Sequence, residues 1–164
     1  NSQTFPDFYL DLENKKNGLL EIKTFDKDRG PGFDLANFDS YCTSLLTNAY
    51  RLDSNYLIFA YKMENAEIRI ENVWLKKIWQ LACPSGTYPL KVQEKKQVIY
   101  NIRPSIWYSE RSSFRPFDTK ELFLEALNET RHRYPQTRHT NAHWLANVLS
   151  NYQLHTGVSL SVNL

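Results

Sequence analysis

Two carboxylates and one ammonium group near the start of the chain have the types and spacing needed for metal-assisted hydrolysis. Asp7 follows a proline, and Glu21 and Lys23 come after thirteen further residues. Mg²⁺ prefers oxygen ligands and is usually held by one or two carboxylates, together with water and substrate phosphate. A cation held in this way neutralises the charge that develops when a phosphodiester is attacked, and a neighbouring ammonium can assist the attacking water. Asp7, Glu21 and Lys23 are therefore candidate catalytic residues for phosphodiester hydrolysis.

The elements that must bring these residues together are two short segments, Asp7–Leu12 and Leu19–Phe25. Apolar and polar residues alternate in both, and a polar segment that contains a glycine separates them. This pattern predicts a β-hairpin. Residues two apart in a strand share a face, so Glu21 and Lys23 are expected to point the same way.

The register of the hairpin decides whether Asp7 can join this pair. A two-residue turn at Asn17–Gly18 would separate Asp7 from Glu21 by about 23 Å along the strand, too far for a shared metal ion. A longer loop over about Glu13–Asn17, with the glycine at a bulge, would set Asp7 opposite Glu21 or Lys23. The residues alone permit both registers.

Two other interpretations of the hairpin stay open from the residues. With the short turn, Asp11 would lie near Lys23 and would be the fallback metal ligand. Glu21 and Lys23 could also form only a solvated ion pair on a strand face, which contributes a few tenths of a kcal/mol.

Pro6-Asp7, thirteen intervening residues and Glu21-Ile22-Lys23 resemble the PD-(D/E)xK signature of a nuclease superfamily that includes many type II restriction endonucleases. In that family the first acid opens one strand and ExK lies on the antiparallel neighbour, so the resemblance favours the longer loop. It implies that Asp7 and Glu21 ligate Mg²⁺ with the help of the Ile22 backbone carbonyl. It also implies that Lys23 orients or activates the attacking water.

The resemblance covers residues 6–62 at the level of pattern, and it implies a magnesium-dependent endonuclease that acts on double-stranded DNA. We expect a sequence-specific type II restriction enzyme that forms a homodimer, because a twofold assembly matches a palindromic site. Two alternatives remain: a non-specific DNA-repair nuclease of the same superfamily, and a non-catalytic nucleic-acid-binding or protein-interaction domain in which the motif is incidental.

The remaining patterns predict one α/β domain over residues 1–164, with a mixed β-sheet flanked by helices. The continuously apolar segment Tyr56–Tyr61 predicts a central strand buried on both faces. Further strands are predicted at Glu67–Val73, Tyr88–Val92 and Val98–Arg103. Helices are predicted at Phe38–Tyr50 with Asp39 as N-cap, at Trp74–Ala82, at Thr119–Tyr134 and at about Asn141–Leu154.

The net charge differs between the two halves of the chain, and the second half is positive. Residues 1–82 carry ten Lys and Arg against twelve Asp and Glu, whereas residues 83–164 carry ten against six. A basic half beside an acidic catalytic half would suit an enzyme that acts on a polyanion. Arg103, Arg111 and Arg115, in or next to the irregular segment Ser105–Pro116, are candidates for DNA contact, although this segment could equally be a surface loop whose aromatic residues cover the core. Arg131, Arg133 and Arg138 lie in a separate basic segment and are further candidates, in a patch that faces phosphate or is simply solvated.

Other features narrow the class of protein. The sequence has no membrane-length apolar segment, no signal peptide and no phosphate-binding glycine motif, so we expect a cytoplasmic protein without a membrane anchor or nucleotide cofactor. Cys42 and Cys83 have no zinc or disulfide spacing, and we expect both to be buried and reduced. The chain begins with Asn1 rather than Met, and family members usually carry a helix before the first catalytic strand. We therefore expect a fragment that lacks an N-terminal helix or region.

Overall fold

The fold, in a computed structural model that describes residues 5–134 and 142–162, combines seven short or medium strands with three α-helices. The strands are β1 (Phe8–Tyr9), β2 (Leu19–Asp26), β3 (Ala36–Asn37), β4 (Asn55–Glu64), β5 (Glu67–Lys77), β6 (Val92–Lys95) and β7 (Val98–Ile102). The helices are α1 (Phe38–Leu45), α2 (Lys120–Arg133) and α3 (Trp144–Thr156), and 3₁₀ segments occur at Ala49–Asp53 and Ile78–Gln80.

The strands form two sheets. The larger sheet has the order β1-β2-β4-β5, in which β2 and β4 are parallel and the other pairs are antiparallel. The smaller sheet is antiparallel and has the order β3-β7-β6. The predicted fold class, a mixed α/β structure with a mixed sheet flanked by helices, is confirmed.

The core lies on one face of the larger sheet. On β4 the buried residues Tyr56, Ile58 and Ala60 alternate with less buried ones, as the period of a strand requires. Helix α3 adds Trp144, which is fully buried and donates a hydrogen bond from Nε1 to the Cys42 backbone oxygen at 2.8 Å. Burial raises the pKa of the Cys42 thiol well above its usual range, so this cysteine is a packed, neutral core residue.

The outer face of the same sheet remains partly open. The prediction that the β4 segment is buried on both faces is wrong for the described residues, because Leu57 and Phe59 are only half-buried. The neighbouring strand β5 leaves Ile68 and Leu75 exposed on that face. Strand β4 therefore has more apolar side chains than the described packing buries.

Three local predictions are also wrong. Trp74–Ala82 is not a helix, since β5 continues to Lys77 as the antiparallel partner of β4 and only Ile78–Gln80 is helical. The backbone ladder of the sheet overrides the helical spacing of the apolar residues there. Helix α1 is capped by the Asn37 side chain rather than by Asp39. Residues 88–91 are irregular, and the strand begins at Val92.

The two long helices were predicted more closely. Helix α2 begins after Thr119, whose hydroxyl accepts a hydrogen bond from Leu122 N at 3.2 Å. Helix α3 ends at Gly157, which adopts the left-handed conformation (φ 72°) typical of a C-terminal cap. The predicted start of that helix at Asn141 lies outside the described residues. Within the part of the chain that the structure describes, no helix has the length and apolar character of a membrane span.

Candidate active site

The hairpin of β1 and β2 has the longer of the two predicted loops. Phe8 pairs with Leu20 and Tyr9 pairs with Leu19, and the next residue along each strand sets Asp7 opposite Glu21. Leu10 N donates to Gly18 O at 2.9 Å where the loop closes. The two-residue turn is thus wrong, and the register that brings Asp7 towards Glu21 is confirmed.

Gly18 is the residue in this hairpin that tolerates substitution least. Its φ is 63°, and a Cβ at this position would lie 2.9 Å from Leu10 Cβ on the opposite strand. We expect Gly18→Ala to lower the free energy of unfolding by about 1–2 kcal/mol in chemical denaturation, because a left-handed conformation is unfavourable for residues other than glycine. Gly32→Ala is the control, since a Cβ at Gly32 would meet no atom within 4 Å. Equal effects of the two changes would contradict this explanation.

Two hydrogen bonds hold the side chains of the three candidate catalytic residues. Asp7 Oδ2 accepts a hydrogen bond from Ile22 N at 2.8 Å, which ties the chain before β1 to the centre of β2. Lys23 Nζ donates to Glu21 Oε1 at 2.8 Å. Glu21 and Lys23 lie on the core face of β2, in register with Tyr56 and Ile58 of β4. Glu21 and Lys23 of β2 and Asp7, just before β1, thus present two carboxylates and one ammonium at the edge of the sheet.

These residues line a cavity of about 780 Å³. The wall opposite β2 is formed by β3, the first turn of α1 and β7, and the 3₁₀ segment at Ala49–Asp53 contributes Arg51. The lining residues are Phe5, Pro6, Asp7, Glu21, Ile22, Lys23, Asp34, Leu35, Ala36, Asn37, Ser40, Tyr41, Arg51, Tyr56 and Asn101. The cavity is therefore a polar cleft between the two sheets, large enough for part of an extended ligand.

The donor set fits a hard divalent cation. Glu21 Oε2 is buried and has no hydrogen-bond partner among the described residues, although a carboxylate oxygen left unpaired in the interior is unfavourable. Asp7 Oδ1 takes no part in the bond to Ile22 N. No group of three or more His, Cys, Asp or Glu that could hold a metal was found in residues 5–134 and 142–162. A pair of carboxylates is nevertheless what Mg²⁺ commonly uses.

Asp11, the fallback ligand, has another role. Its Oδ1 accepts hydrogen bonds from Glu13 N at 3.0 Å and Asn14 N at 2.8 Å, a local turn that shapes the hairpin loop. The register in which Asp11 would approach Lys23 is not the one observed. Asp11 is therefore a loop-forming residue.

The sequence analysis missed further cavity residues, among them Asp34, Tyr41 and Tyr56. Asp34 lines the cavity and is paired with Arg103 and Asn101. Tyr41 is buried, and its hydroxyl has no hydrogen-bond partner in the described part of the chain. Tyr56 donates from its hydroxyl to Leu35 O at 3.1 Å. Burial, together with the nearby Glu21 carboxylate, raises the pKa of Tyr56 far above its usual value and keeps it neutral.

The candidate DNA-binding arginines are in four different environments. Arg103 is committed to Asp34 at the cavity wall and donates to Gly32 O at 3.1 Å. Arg111 and Arg115 are exposed on the irregular segment before α2, and Arg133 is exposed at the end of α2. Arg131 is 2% exposed, and its guanidinium lies 4.6 Å from the centre of the Trp144 ring. Because it is buried, Arg131 is not among the DNA-binding residues that we propose below. Arg138 lies outside the described residues.

A mixed sheet with Glu21 and Lys23 on β2 in a cleft, and with Asp7 just before the neighbouring strand β1, is typical of the restriction-endonuclease-like class. The family model of the NgoBV restriction endonuclease matches residues 1–164. The chain belongs to this family of type II restriction endonucleases.

Individual relatives support this assignment. Type II restriction enzyme NlaIV of Neisseria lactamica is 37% identical over 164 residues, which are 99% of this chain and 68% of that protein. Type II restriction enzyme NgoBV of Neisseria gonorrhoeae is 32% identical over 99 residues, 58% of this chain and 55% of that protein. A solved structure of the NlaIV restriction endonuclease matches with a TM-score of 0.93 and 36% identity over 99% of this chain and 67% of that chain.

Proposed function

We propose that this protein hydrolyses phosphodiester bonds of double-stranded DNA in a Mg²⁺-dependent reaction, as a sequence-specific restriction enzyme. The observation that carries the proposal is the cavity wall on which Asp7 and Glu21 stand opposite each other, with Glu21 Oε2 buried and unpaired among the described residues. Family membership supports the reaction class.

Asp7, Glu21 and the Ile22 carbonyl are the proposed metal ligands. When bound there, Mg²⁺ would supply charge neutralisation for the phosphate and a lowered pKa for a water molecule. The Ile22 N–H fixes Asp7 through its 2.8 Å hydrogen bond, so one oxygen of that carboxylate is oriented while the other is available to the cation. Lys23 is held by Glu21 Oε1 beside the site, where its ammonium can orient the attacking water or stabilise negative charge on the phosphate.

The proposed DNA-binding surface uses the arginines that remain after the correction above. Arg111, Arg115 and Arg133 are exposed and suit phosphate or base contacts, and Arg103 is paired with Asp34, which lines the cavity. Arg138 stays a proposal without structural support. We also propose a homodimer, because two copies of one site related by a twofold axis can cut both strands of a palindromic sequence.

Metal removal gives the first test. A mixed-sequence duplex DNA incubated with the protein and Mg²⁺ is expected to yield discrete fragments on a gel, whereas EDTA should reduce cleavage to background because the carboxylates alone cannot neutralise the phosphate. Readdition of Mg²⁺ should restore the same fragments. A smear that depends on metal would favour a non-specific nuclease. Salt-sensitive binding without any cleavage would contradict the proposal and favour a binding module.

A further inference from the structure

Asp7 lies beside the most weakly held strand of the larger sheet. Strand β1 has only two residues, Phe8 and Tyr9, which are 53% and 42% exposed. Two paired residues at an exposed sheet edge give little fixed geometry. The hydrogen bond from Ile22 N fixes one oxygen of Asp7, but it does not fix the chain that precedes the strand. A second contact is needed on that side.

Arg51 supplies that contact. Its Nη2 donates to the Phe5 backbone oxygen at 3.2 Å, and its guanidinium carbon lies 4.5 Å from the centre of the Phe5 ring. A guanidinium over an aromatic face is attracted by the ring and retains donors for a carbonyl in the same plane. Phe5, two residues before Asp7, is thus held by Arg51, which is not part of the β1–β2 hairpin.

The segment that carries Arg51 is itself firmly anchored. Ala49 N donates to the Asn151 side chain on α3 at 2.8 Å, and Ser54 Oγ donates to Arg51 O at 2.7 Å. At the end of the same 3₁₀ segment, Asp53 is bonded to α2 and α3 through Lys120 and Tyr152. Arg51 therefore connects the helical layer to the chain that carries the first candidate ligand.

We propose that Arg51 is a positioning residue of the metal site: it clamps Phe5 and so holds Asp7 where its carboxylate can share a cation with Glu21. This inference rests on the proposed function, because it assumes that Asp7 ligates a divalent cation. Arg51 lines the same cavity as both carboxylates. Its charge alone would repel a cation there, so its charge and its clamp act on metal affinity in opposite directions.

Because the charge of Arg51 and its contact with Phe5 change metal affinity in opposite directions, a measurement of metal binding distinguishes the two effects. Mn²⁺ binding, followed through the EPR signal of the free ion, reports on the site without DNA or turnover. Arg51→Met is expected to weaken Mn²⁺ binding about tenfold, the size typical of residues that orient a ligand from behind. Arg51→Lys keeps a donor and a charge and should recover part of the affinity. Arg69→Met, which removes an equal charge from an exposed ion pair on β5, should leave the affinity unchanged.

The route through Asp7 can be tested separately. In an Asp7→Asn background, Arg51→Met should no longer weaken residual Mn²⁺ binding and should leave it unchanged or tighter, because the group that Arg51 positions has lost its charge while the repulsion by Arg51 is still removed. If Arg51→Met does not fold, as judged by circular dichroism, Phe5→Ala tests the same clamp with the charge of Arg51 intact. It should also weaken Mn²⁺ binding.

The outcomes separate this inference from the proposed function. Absence of saturable Mn²⁺ binding by the unmodified protein would overturn both. Binding that is lost in Asp7→Asn, but is unchanged or tighter in Arg51→Met, would overturn the inference alone and would leave Arg51 as a nearby charge or a phosphate contact.

Discussion

Replacing Lys23 with alanine should lower the rate of DNA cleavage by about two to four orders of magnitude, the range seen when a proton-transfer group or a charge-stabilising donor is removed from an active site. Lys23 Nζ is held 2.8 Å from Glu21 Oε1 on the cavity wall, and its side chain is 23% exposed. The change removes the ammonium and its hydrogen bond to Glu21 but keeps both carboxylates. DNA affinity, measured by fluorescence anisotropy in EDTA, should fall much less than the cleavage rate.

A matched lysine distinguishes loss of chemistry from loss of charge. Lys27 is the next lysine along the chain, its Nζ donates to Asn72 Oδ1 at 2.7 Å, and it does not line the cavity. Lys27→Ala is therefore expected to cut DNA at nearly the normal rate. Equal losses of activity in Lys23→Ala and Lys27→Ala would contradict a catalytic role for Lys23 and would indicate a general electrostatic effect.

Glu21→Gln completes this series, because it keeps the size of the side chain and an acceptor for Lys23 but removes the negative charge. Cleavage should be lost at least as fully as in Lys23→Ala, and raising the Mg²⁺ concentration should recover part of it if the loss is one of metal affinity. Full activity of Glu21→Gln without a raised Mg²⁺ concentration would contradict the assignment of Glu21 as a metal ligand.

Strand β2, which carries Glu21 and Lys23, could be predicted from sequence because its signals are local. The alternation of apolar and polar residues predicted that Glu21 and Lys23 share a face of the strand. The resemblance to the family favoured one register of the hairpin, and the pairing of Phe8 with Leu20 confirms that register. The same local signals failed at Trp74–Ala82, where apolar spacing suited a helix. There the partner is β4, and pairing from Asn55 with Lys77 onward decides the structure.

The walls of the cavity other than β2 could not be predicted, because they come from residues that are distant in sequence. Asp34 meets Arg103, which is 69 residues away, and Arg51 meets Phe5 across 46 residues. Isolated charges of this kind have no periodicity or motif of their own. Tyr56 could be recognised only as part of an apolar strand, and it lines the cavity because the pairing of β4 with β2 sets it beside Glu21.

The largest expected effect on stability comes from the group formed by Asp53, Lys120 and Tyr152, here called the Asp53 network. Asp53 accepts hydrogen bonds from Lys120 Nζ and, at 2.6 Å, from the Tyr152 hydroxyl, while Lys120 also donates to Tyr152 at 2.7 Å. The network joins the 3₁₀ segment at Ala49–Asp53 to α2 and α3. Asp53→Ala would leave an ammonium that is 21% exposed without its counter-charge.

We expect Asp53→Ala to lower the free energy of unfolding by about 2 kcal/mol, within the range for hydrogen bonds to charged groups. For a chain of this size that corresponds to a decrease of about 4–8 °C in the unfolding temperature. Asp28→Ala is the control, because Asp28 is 68% exposed and pairs with Lys62 on the surface. Its effect should stay below about 1 kcal/mol.

The pH dependence of this effect follows from Lys120. Burial lowers the pKa of its ammonium, but the hydrogen bonds to Asp53 and Tyr152 and the attraction of the Asp53 carboxylate outweigh burial, so the pKa is raised. A raised lysine pKa contributes stability that is fully present below the ordinary value of about 10.4 and is lost as the pH rises through the value in the folded protein. The stability difference between the unmodified protein and Asp53→Ala should therefore be constant near neutral pH and shrink above about pH 10.4.

A double substitution distinguishes the interaction between Asp53 and Lys120 from the separate contributions of the two side chains to stability. Lys120→Met removes the ammonium that Asp53→Ala leaves uncompensated, so the double variant should be no less stable than Asp53→Ala, although Lys120→Met alone is destabilising. The coupling arises because each single change leaves the other charge partly buried without its partner. Additive losses across this cycle would show that Asp53 and Lys120 stabilise the fold independently.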